Sequence, residues 1–171
     1  CGFLYQPDRL QPVDLRIDPV WLAARERLVG NGTISLSDSS NQRVVAFQGS
    51  YQERDGSEAL TFSRRPQLVG LKEIGTDRPI IYLLNNHFSS RPDQRVLRRR
   101  AQAAVNAQVV RAILDVSPQA HIVVGGDLNV YPRPDDPFPD SPSDQLGPLY
   151  DVGLIPVLEQ LMRVAPESTY T

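Results

Sequence analysis

Cysteine is nearly absent from this chain: of 171 residues, only Cys1 carries a thiol. One sulfur closes no internal disulfide and builds no cysteine metal site, and a single thiol is compatible with either redox compartment. No apolar run approaches the ~20 residues that span a bilayer, and no basic-then-apolar leader opens the sequence. Positive charge is not in excess either. Lys and Arg number 18 against 20 Asp and Glu, a formal net charge of -2. That composition does not resemble a generic basic nucleic-acid binder and leaves any polyanion binding to local patches. There is no GxGxxG, Walker loop, GxSxG elbow or HExxH, which removes dinucleotide oxidoreductases, P-loop enzymes, α/β-hydrolases and thermolysin-type metalloproteases. What is present is the composition of a folded globular protein, 40% hydrophobic and 22% charged, with no internal repeat and no linker. The length suits one domain with a real core.

Hydrophobic periodicity orders the elements. Residues 1–5 read as a short strand ended by Gln6-Pro7-Asp8. Residues 19–28 read as a short helix with Pro19 in its first turn and Trp21, Leu22 and Leu28 as apolar positions, stopped by Gly30-Asn31-Gly32. Asn31-Gly32-Thr33 also matches a glycosylation sequon, a triplet common by chance. Residues 34–42 are rich in Ser, Asp and Asn and predict a loop. Strands are expected over 44–48 and 59–62, around a turn-like 51–57. Residues 67–74 and 80–85 predict two strands joined as a hairpin by Gly75-Thr76-Asp77. The strongest helix spans 92–115, with Leu97, Ala101, Ala104, Val105, Ala112 and Ile113 on one face. Arg95, Arg98, Arg99 and Arg100 are expected on its exposed face, from where they can assist with a polyanion. A strand over 121–124 completes a strand–helix–strand unit, which makes the fold class α/β. A long Pro-, Asp- and Ser-rich loop over 131–148 and a short helix over 154–164 come next.

The candidate chemistry lies where two apolar runs end in polar residues. Ile122-Val123-Val124-Gly125-Gly126 leads into Asp127-Leu128-Asn129. The glycines let the backbone turn and approach a ligand. A carboxylate at Asp127 suits a hard cation or an attacking water, and the neutral amide of Asn129 can donate to a phosphoryl oxygen. An Asx turn is the plain alternative for the same residues. A calcium loop opening at Asp127 is excluded, because Pro132 and Phe138 stand where Gly and Glu are required. The other run ends in Asn85-Asn86-His87, with Ser89, Ser90 and Arg91 directly after it. An imidazole there can relay a proton to a leaving oxygen, with the residues after it binding phosphate. The plain alternative is a strand-end histidine bonded to a nearby carbonyl. Arg64, in Phe62-Ser63-Arg64-Arg65-Pro66, suits a phosphate at the border of a cleft or belongs to a solvated hairpin edge. His121 receives no role.

In order along the chain, Phe3-Leu4-Tyr5-Gln6-Pro7-Asp8-Arg9-Leu10, Phe62-Ser63-Arg64-Arg65-Pro66, Asn85-Asn86-His87-Phe88-Ser89-Ser90, Arg99-Arg100-Ala101-Gln102-Ala103 and Gly125-Gly126-Asp127-Leu128-Asn129 resemble the endonuclease/exonuclease/phosphatase superfamily, and within it the bacterial extracellular nuclease branch. The resemblance implies a four-layer α/β sandwich of the deoxyribonuclease-like type, present over residues 1–171 as a partial domain corresponding to its C-terminal two-thirds. It implies metal-dependent phosphodiester hydrolysis, with a nucleic acid as substrate. His87 would act at the phosphate, Asp127 and Asn129 on the attacking water and the phosphoryl oxygens, Arg64 and Ser90 on the substrate. A divalent cation, Mg2+ with Mn2+ or Ca2+ as alternatives, would sit at Asp127. By the same resemblance the location would be extracellular or periplasmic. The chain departs from the pattern in carrying Ser89 where many relatives have Lys. It shows neither the upstream Asn and metal-binding Glu nor the closing Asp-His pair, which Ser168-Thr169-Tyr170-Thr171 would approach. A phospholipid or sugar-phosphate phosphodiesterase, and a non-catalytic module of the same fold, remain as alternatives.

Overall fold

The computed structural model describes residues 4–32, 34–38, 43–76, 81–91, 94–130 and 145–157. Within them the chain is mixed α/β, with a seven-stranded mixed sheet and three helices. Helix α1 (Pro19–Gly30) begins where Asp18 accepts the Trp21 N–H at 3.2 Å. Pro19, which has no N–H to satisfy, sits in the first turn. Trp21, Ala24 and Leu28 recur at helical spacing and are buried, whereas Leu22, one residue around the helix from Trp21, lies at the solvent edge.

Several expectations require correction. Residues 34–42 do not all form loop: β2 (Ile34–Asp38) pairs antiparallel with β3 (Val45–Gln52). Ile34 is buried in the core and Leu36 packs against it. Pairing along β3 therefore overrides the turn preference of the intervening Ser and Asp. Leu4 and Tyr5 are exposed and outside any strand, and the first strand among the described residues is β1 (Leu10–Pro12). Gln145 to Pro148, expected in the long loop, lead into the short helix α3 (Gly147–Tyr150), which places Leu149 in the core. The helix expected over 154–164 is absent from Leu154, Ile155 and Pro156, and its residues 158–164 lie outside the described residues, as do the remainder of that loop (131–144), residues 1–3, Thr33 and residues 168–171.

The hairpin and the strand–helix–strand unit form as the sequence predicts. β4 (Glu58–Leu60) pairs with β3. β5 (Gln67–Glu73) runs antiparallel to β6 (Ile81–His87), and β6 runs parallel to β7 (His121–Asp127). Helix α2 (Val96–Val116) makes the crossover. The sheet order is β2-β3-β5-β6-β7, with β1 beside β5 and β4 beside β3. The even residues of β6 face the helices. The Tyr82 hydroxyl donates to Asp18 at the cap of α1, Leu84 is in the core, and Asn86 bonds to Asn106 of α2. By strand alternation the odd residues, ending in His87, face the other way. On that side β7 is open, with Val123 46% exposed.

Between helices and sheet lies the core, which includes Trp21, Phe47, Leu68, Leu84, Val109, Val110 and Ile113. Each such side chain contributes about 1.5–3 kcal/mol by leaving water. Phe62 bridges Phe47 (6.1 Å, edge-to-face) and Phe88 (6.3 Å), tying the segment after β4 to the segment after β6. No described helix is long and apolar enough to cross a membrane.

Asp18 is buried and serves both the α1 cap and Tyr82. Removing the phenol with Tyr82→Phe should cost about 1–3 kcal/mol in urea unfolding, because a buried carboxylate loses a donor; an unchanged midpoint would contradict this packing. Burial, then the Asp18 partnership, raises the Tyr82 pKa above its ordinary value. Burial, then Glu53, raises that of Tyr51 from 10.0 to about 12. The folded state thus holds both phenol protons more tightly than the unfolded chain. That stability is fully present below the ordinary tyrosine pKa and is lost as pH rises through the folded values. Urea midpoints should therefore fall as pH climbs from about 10 to 12.

Candidate functional site

Strand ends make this site. The parallel register of β6 and β7 pairs Asn85 with Gly125, Asn86 with Gly126 and His87 with Asp127. Residues opposite one another in register project to the same face, so the histidine and the carboxylate end side by side on the open side of the sheet. His87 Nε2 lies 3.9 Å from Asp127 Oδ2, and their side chains are 34% and 61% exposed. The ladder continues past the last pair, with Phe88 N donating to Asp127 O at 2.8 Å.

Arg64 reaches this corner from the segment after β4. Its Nη1 lies 2.9 Å from His87 Nδ1 and 3.4 Å from Nε2. A guanidinium can only donate, so the nearer nitrogen must accept. In the neutral ring that leaves the proton on Nε2, the nitrogen that faces Asp127. Arg65 points elsewhere, donating to Ser37 Oγ at 3.0 Å.

Asn129 behaves more structurally than its sequence suggests. Its N–H donates to Asp127 Oδ1 at 3.1 Å, which closes the Asx turn that was the plain alternative. Its Nδ2 donates to Phe88 O at 3.0 Å, stapling the two strand ends together. One amide hydrogen is thus committed, and the second makes no hydrogen bond among the described residues. Asn129 adopts φ 51°, a left-handed conformation that Asn tolerates better than most residues. Asp127 keeps Oδ2 beside His87 while Oδ1 holds the turn.

Gly125 and Gly126 differ in purpose. A Cβ on Gly125 would meet nothing within 4 Å, whereas one on Gly126 would fall 2.1 Å from Asn86 O. Gly126, at φ 110°, is therefore required by the close approach of the β6 backbone rather than by a ligand. Gly126→Ala should destabilise the fold by about 2–5 kcal/mol through clash and backbone strain, read as a lowered melting point; a variant melting like the parent would contradict the register of these strand ends.

Beneath the site lies a buried polar network. Arg99, expected on the exposed face of α2, is 0% exposed. Arg99, Gln102 and Asn106 succeed one another at helical spacing, on the same stripe as the apolar residues, and all three are buried. Arg99 Nη1 donates to Ser89 O and to Arg91 O, each at 3.0 Å, and its Nε donates to Gln145 Oε1. Gln102 accepts from Ser89 N at 2.9 Å and donates to Thr61 O at 3.0 Å. Asn106 and Asn86 exchange amide bonds of 2.9 and 3.0 Å. These contacts hold residues 88–91 from beneath. Leu97, placed on the apolar face by periodicity, is exposed instead. The available signal was the polar trio itself, since polar residues repeating on an apolar stripe mark a buried network.

Ser90 and Arg91 stand exposed on that held loop, while Ser89 is buried. Arg91 has φ 65°, an uncommon conformation for a long side chain, fixed by the Arg99 bond to its carbonyl. The structure thus brings Arg64, His87, Asp127 and Asn129 together, with Ser90 on the adjoining loop. His121 lies at the opposite end of β7. Among the described residues no group of three or more His, Cys, Asp or Glu side chains gathers to hold a metal. At this corner the carboxylate is Asp127. Mg2+ commonly binds through one or two carboxylates, with waters and substrate phosphate completing its shell, so this donor set fits a substrate-completed site rather than a protein cage.

Compared with protein-family models, with curated proteins and with solved structures, the chain has no match.

Proposed function

We propose that the protein is a metal-dependent phosphodiesterase acting on nucleic acid, with the His87–Asp127 corner as its phosphate-handling site. The supporting observation is the register that sets an imidazole beside a carboxylate at an open sheet edge, with a guanidinium against the ring. In this role Arg64 moves from the ring to a phosphate oxygen and neutralises its charge. The second amide hydrogen of Asn129 and the Ser90 hydroxyl donate to the other phosphate oxygens. Asp127 orients the attacking water and accepts its proton, and His87 Nε2–H gives a proton to the leaving oxygen. A divalent cation held at Asp127 would polarise the phosphodiester and stabilise the charge that develops on it.

We propose the larger architecture to be the deoxyribonuclease-like four-layer α/β sandwich. The open face of β6 and β7 supports this, since Val123 is exposed there and the odd residues of β6 are only half-buried, as on a sheet built to receive another. That Asp127 alone among the described residues brings a carboxylate to the corner also favours a second reading, a phosphate-binding module without catalysis.

Nicking of supercoiled plasmid by the full chain with Mg2+ or Mn2+ separates the two. Cleavage should disappear with EDTA. Asp127→Ala and His87→Ala should each reduce it by about 100-fold or more. The Asp127→Ala melting point should stay close to the parent's, because that side chain is 61% exposed. Undiminished nicking by Asp127→Ala would refute the site. Failure to cut DNA or RNA alongside hydrolysis of a lipid phosphodiester would replace the nuclease by the lipid enzyme, and failure on all of them would leave the binding module.

A further inference from the structure

A second basic feature stands apart from the His87 corner. The turn after β3 and the first turn of α2 enclose a cleft of about 410 Å3 bordered by Tyr51, Glu53, Arg54, Asp55, Arg95 and Arg98. Its two acids are engaged internally. Glu53 takes the Tyr51 hydroxyl, and Asp55 takes Ser57 N at 2.9 Å and Ser57 Oγ at 2.6 Å. Arg98 is fixed in place, donating to Thr61 O at 3.0 Å and Leu60 O at 3.1 Å. Arg54 and Arg95 are exposed and have no side-chain hydrogen bond or ion pair among the described residues. The amino end of α2 beside them has no side-chain cap and no acidic residue in its first turn. The positive end of the helix dipole therefore adds to the field there.

The cleft and the corner are joined by one short run of chain. The carbonyls of Leu60 and Thr61 hold Arg98 at the cleft, and four residues after Leu60 the same segment places Arg64 on His87. A fully extended run of that length reaches at most about 14 Å. Along one strand of a duplex, phosphates recur about every 3.4 Å of helix axis, so a few consecutive phosphates cover that reach. Arg91 stands exposed on the loop after His87, and its carbonyl accepts from Arg95 N at 3.3 Å. The corner and the cleft are thus linked by one run of backbone and each carries an arginine on it.

We infer that the Arg54–Arg95–Arg98 cleft is a second phosphate-binding subsite, which takes a neighbouring phosphate of the polynucleotide strand whose scissile phosphate lies at His87. This rests on the phosphodiesterase reading of the corner and adds to it a second contact along the strand, which favours a longer polynucleotide over a dinucleotide. Arg98 supplies a fixed charge, while Arg54 and Arg95 close on the phosphate as it enters.

The test uses the full chain, a fluorescein-labelled twelve-nucleotide DNA and a labelled dinucleotide, with binding monitored by anisotropy in EDTA so that cleavage plays no part. The Arg54→Ala/Arg95→Ala protein should bind the longer DNA about tenfold more weakly at low salt. The slope of log affinity against log salt should fall by about 1. The advantage of the twelve-mer over the dinucleotide should shrink with it, and Arg54→Lys/Arg95→Lys should recover most of the slope. An unchanged affinity and slope in the alanine protein would overturn the subsite. Equal losses for both lengths would overturn it as well, as would competition by polyglutamate as effective as that by DNA. The plasmid assay with Asp127→Ala fails independently of these outcomes. A chain that binds DNA through the cleft but never cuts it refutes the phosphodiesterase, whereas one that cuts through Asp127 with an indifferent cleft refutes only the subsite.

Discussion

Asn86 on the sheet and Asn106 on the helix exchange two amide hydrogen bonds in a place without solvent, both residues being almost completely buried. An unpaired amide there would cost about 1–3 kcal/mol, so the bonds form only when α2 and β6 meet at one height. The height of β6 against the helix in turn decides which side chains reach the open face. Side chains alternate along a strand, so a slip of one residue would turn His87 toward the helices and Asn86 toward solvent. With β6 fixed, the parallel ladder carries the same register to β7 and delivers Asp127 opposite His87. Gly126 lets the two backbones approach closely at the last step.

The same helix stripe then reaches past the sheet. Gln102 and Arg99 hold the backbone of Ser89 and Arg91 from below, so the loop after the histidine is fixed as firmly as a strand. Chemistry at an exposed corner needs this kind of support, because exposed side chains are positioned only as well as the backbone that carries them. Local strain gathers at the same place, with Arg91 and Asn129 the non-glycine residues in the left-handed region among those described. Buried polar contacts beneath and strained backbone above thus coincide at this edge.

Much of the framework is legible in the amino-acid sequence alone. Strong apolar runs identify β5, β6 and β7, and the 92–115 periodicity finds α2, because those elements are buried where hydrophobic pattern is the dominant force. The pairing of His87 with Asp127 is legible only as two strand ends of the right kind; the register that joins them is a tertiary property. Composition misleads where pairing prevails, as in β2, whose Ser and Asp suggest loop while Ile34 and Leu36 are the residues that matter. Charge misleads at Arg99, since a buried arginine satisfied by carbonyl oxygens has the same local sequence as a solvated one. Asn129 is legible as a phosphate donor or as a turn residue, and the structure gives its backbone N–H to the turn and one amide hydrogen to the Phe88 carbonyl.

The chain contains two histidines, His87 and His121, at opposite ends of the β6–β7 unit. Asp127 lies six strand steps beyond His121, roughly 20 Å at strand spacing. His121 is thus a built-in control for the most direct measurement, the 15N and 1H side-chain spectrum of the two imidazoles during titration with Mg2+ and dimethyl phosphate. If the corner handles phosphate, the His87 signals shift in a saturable way and the His121 signals stay where they are. Shifts of His121 alone, or of neither ring up to tens of millimolar ligand, would contradict a phosphate-handling role for the His87–Asp127 corner.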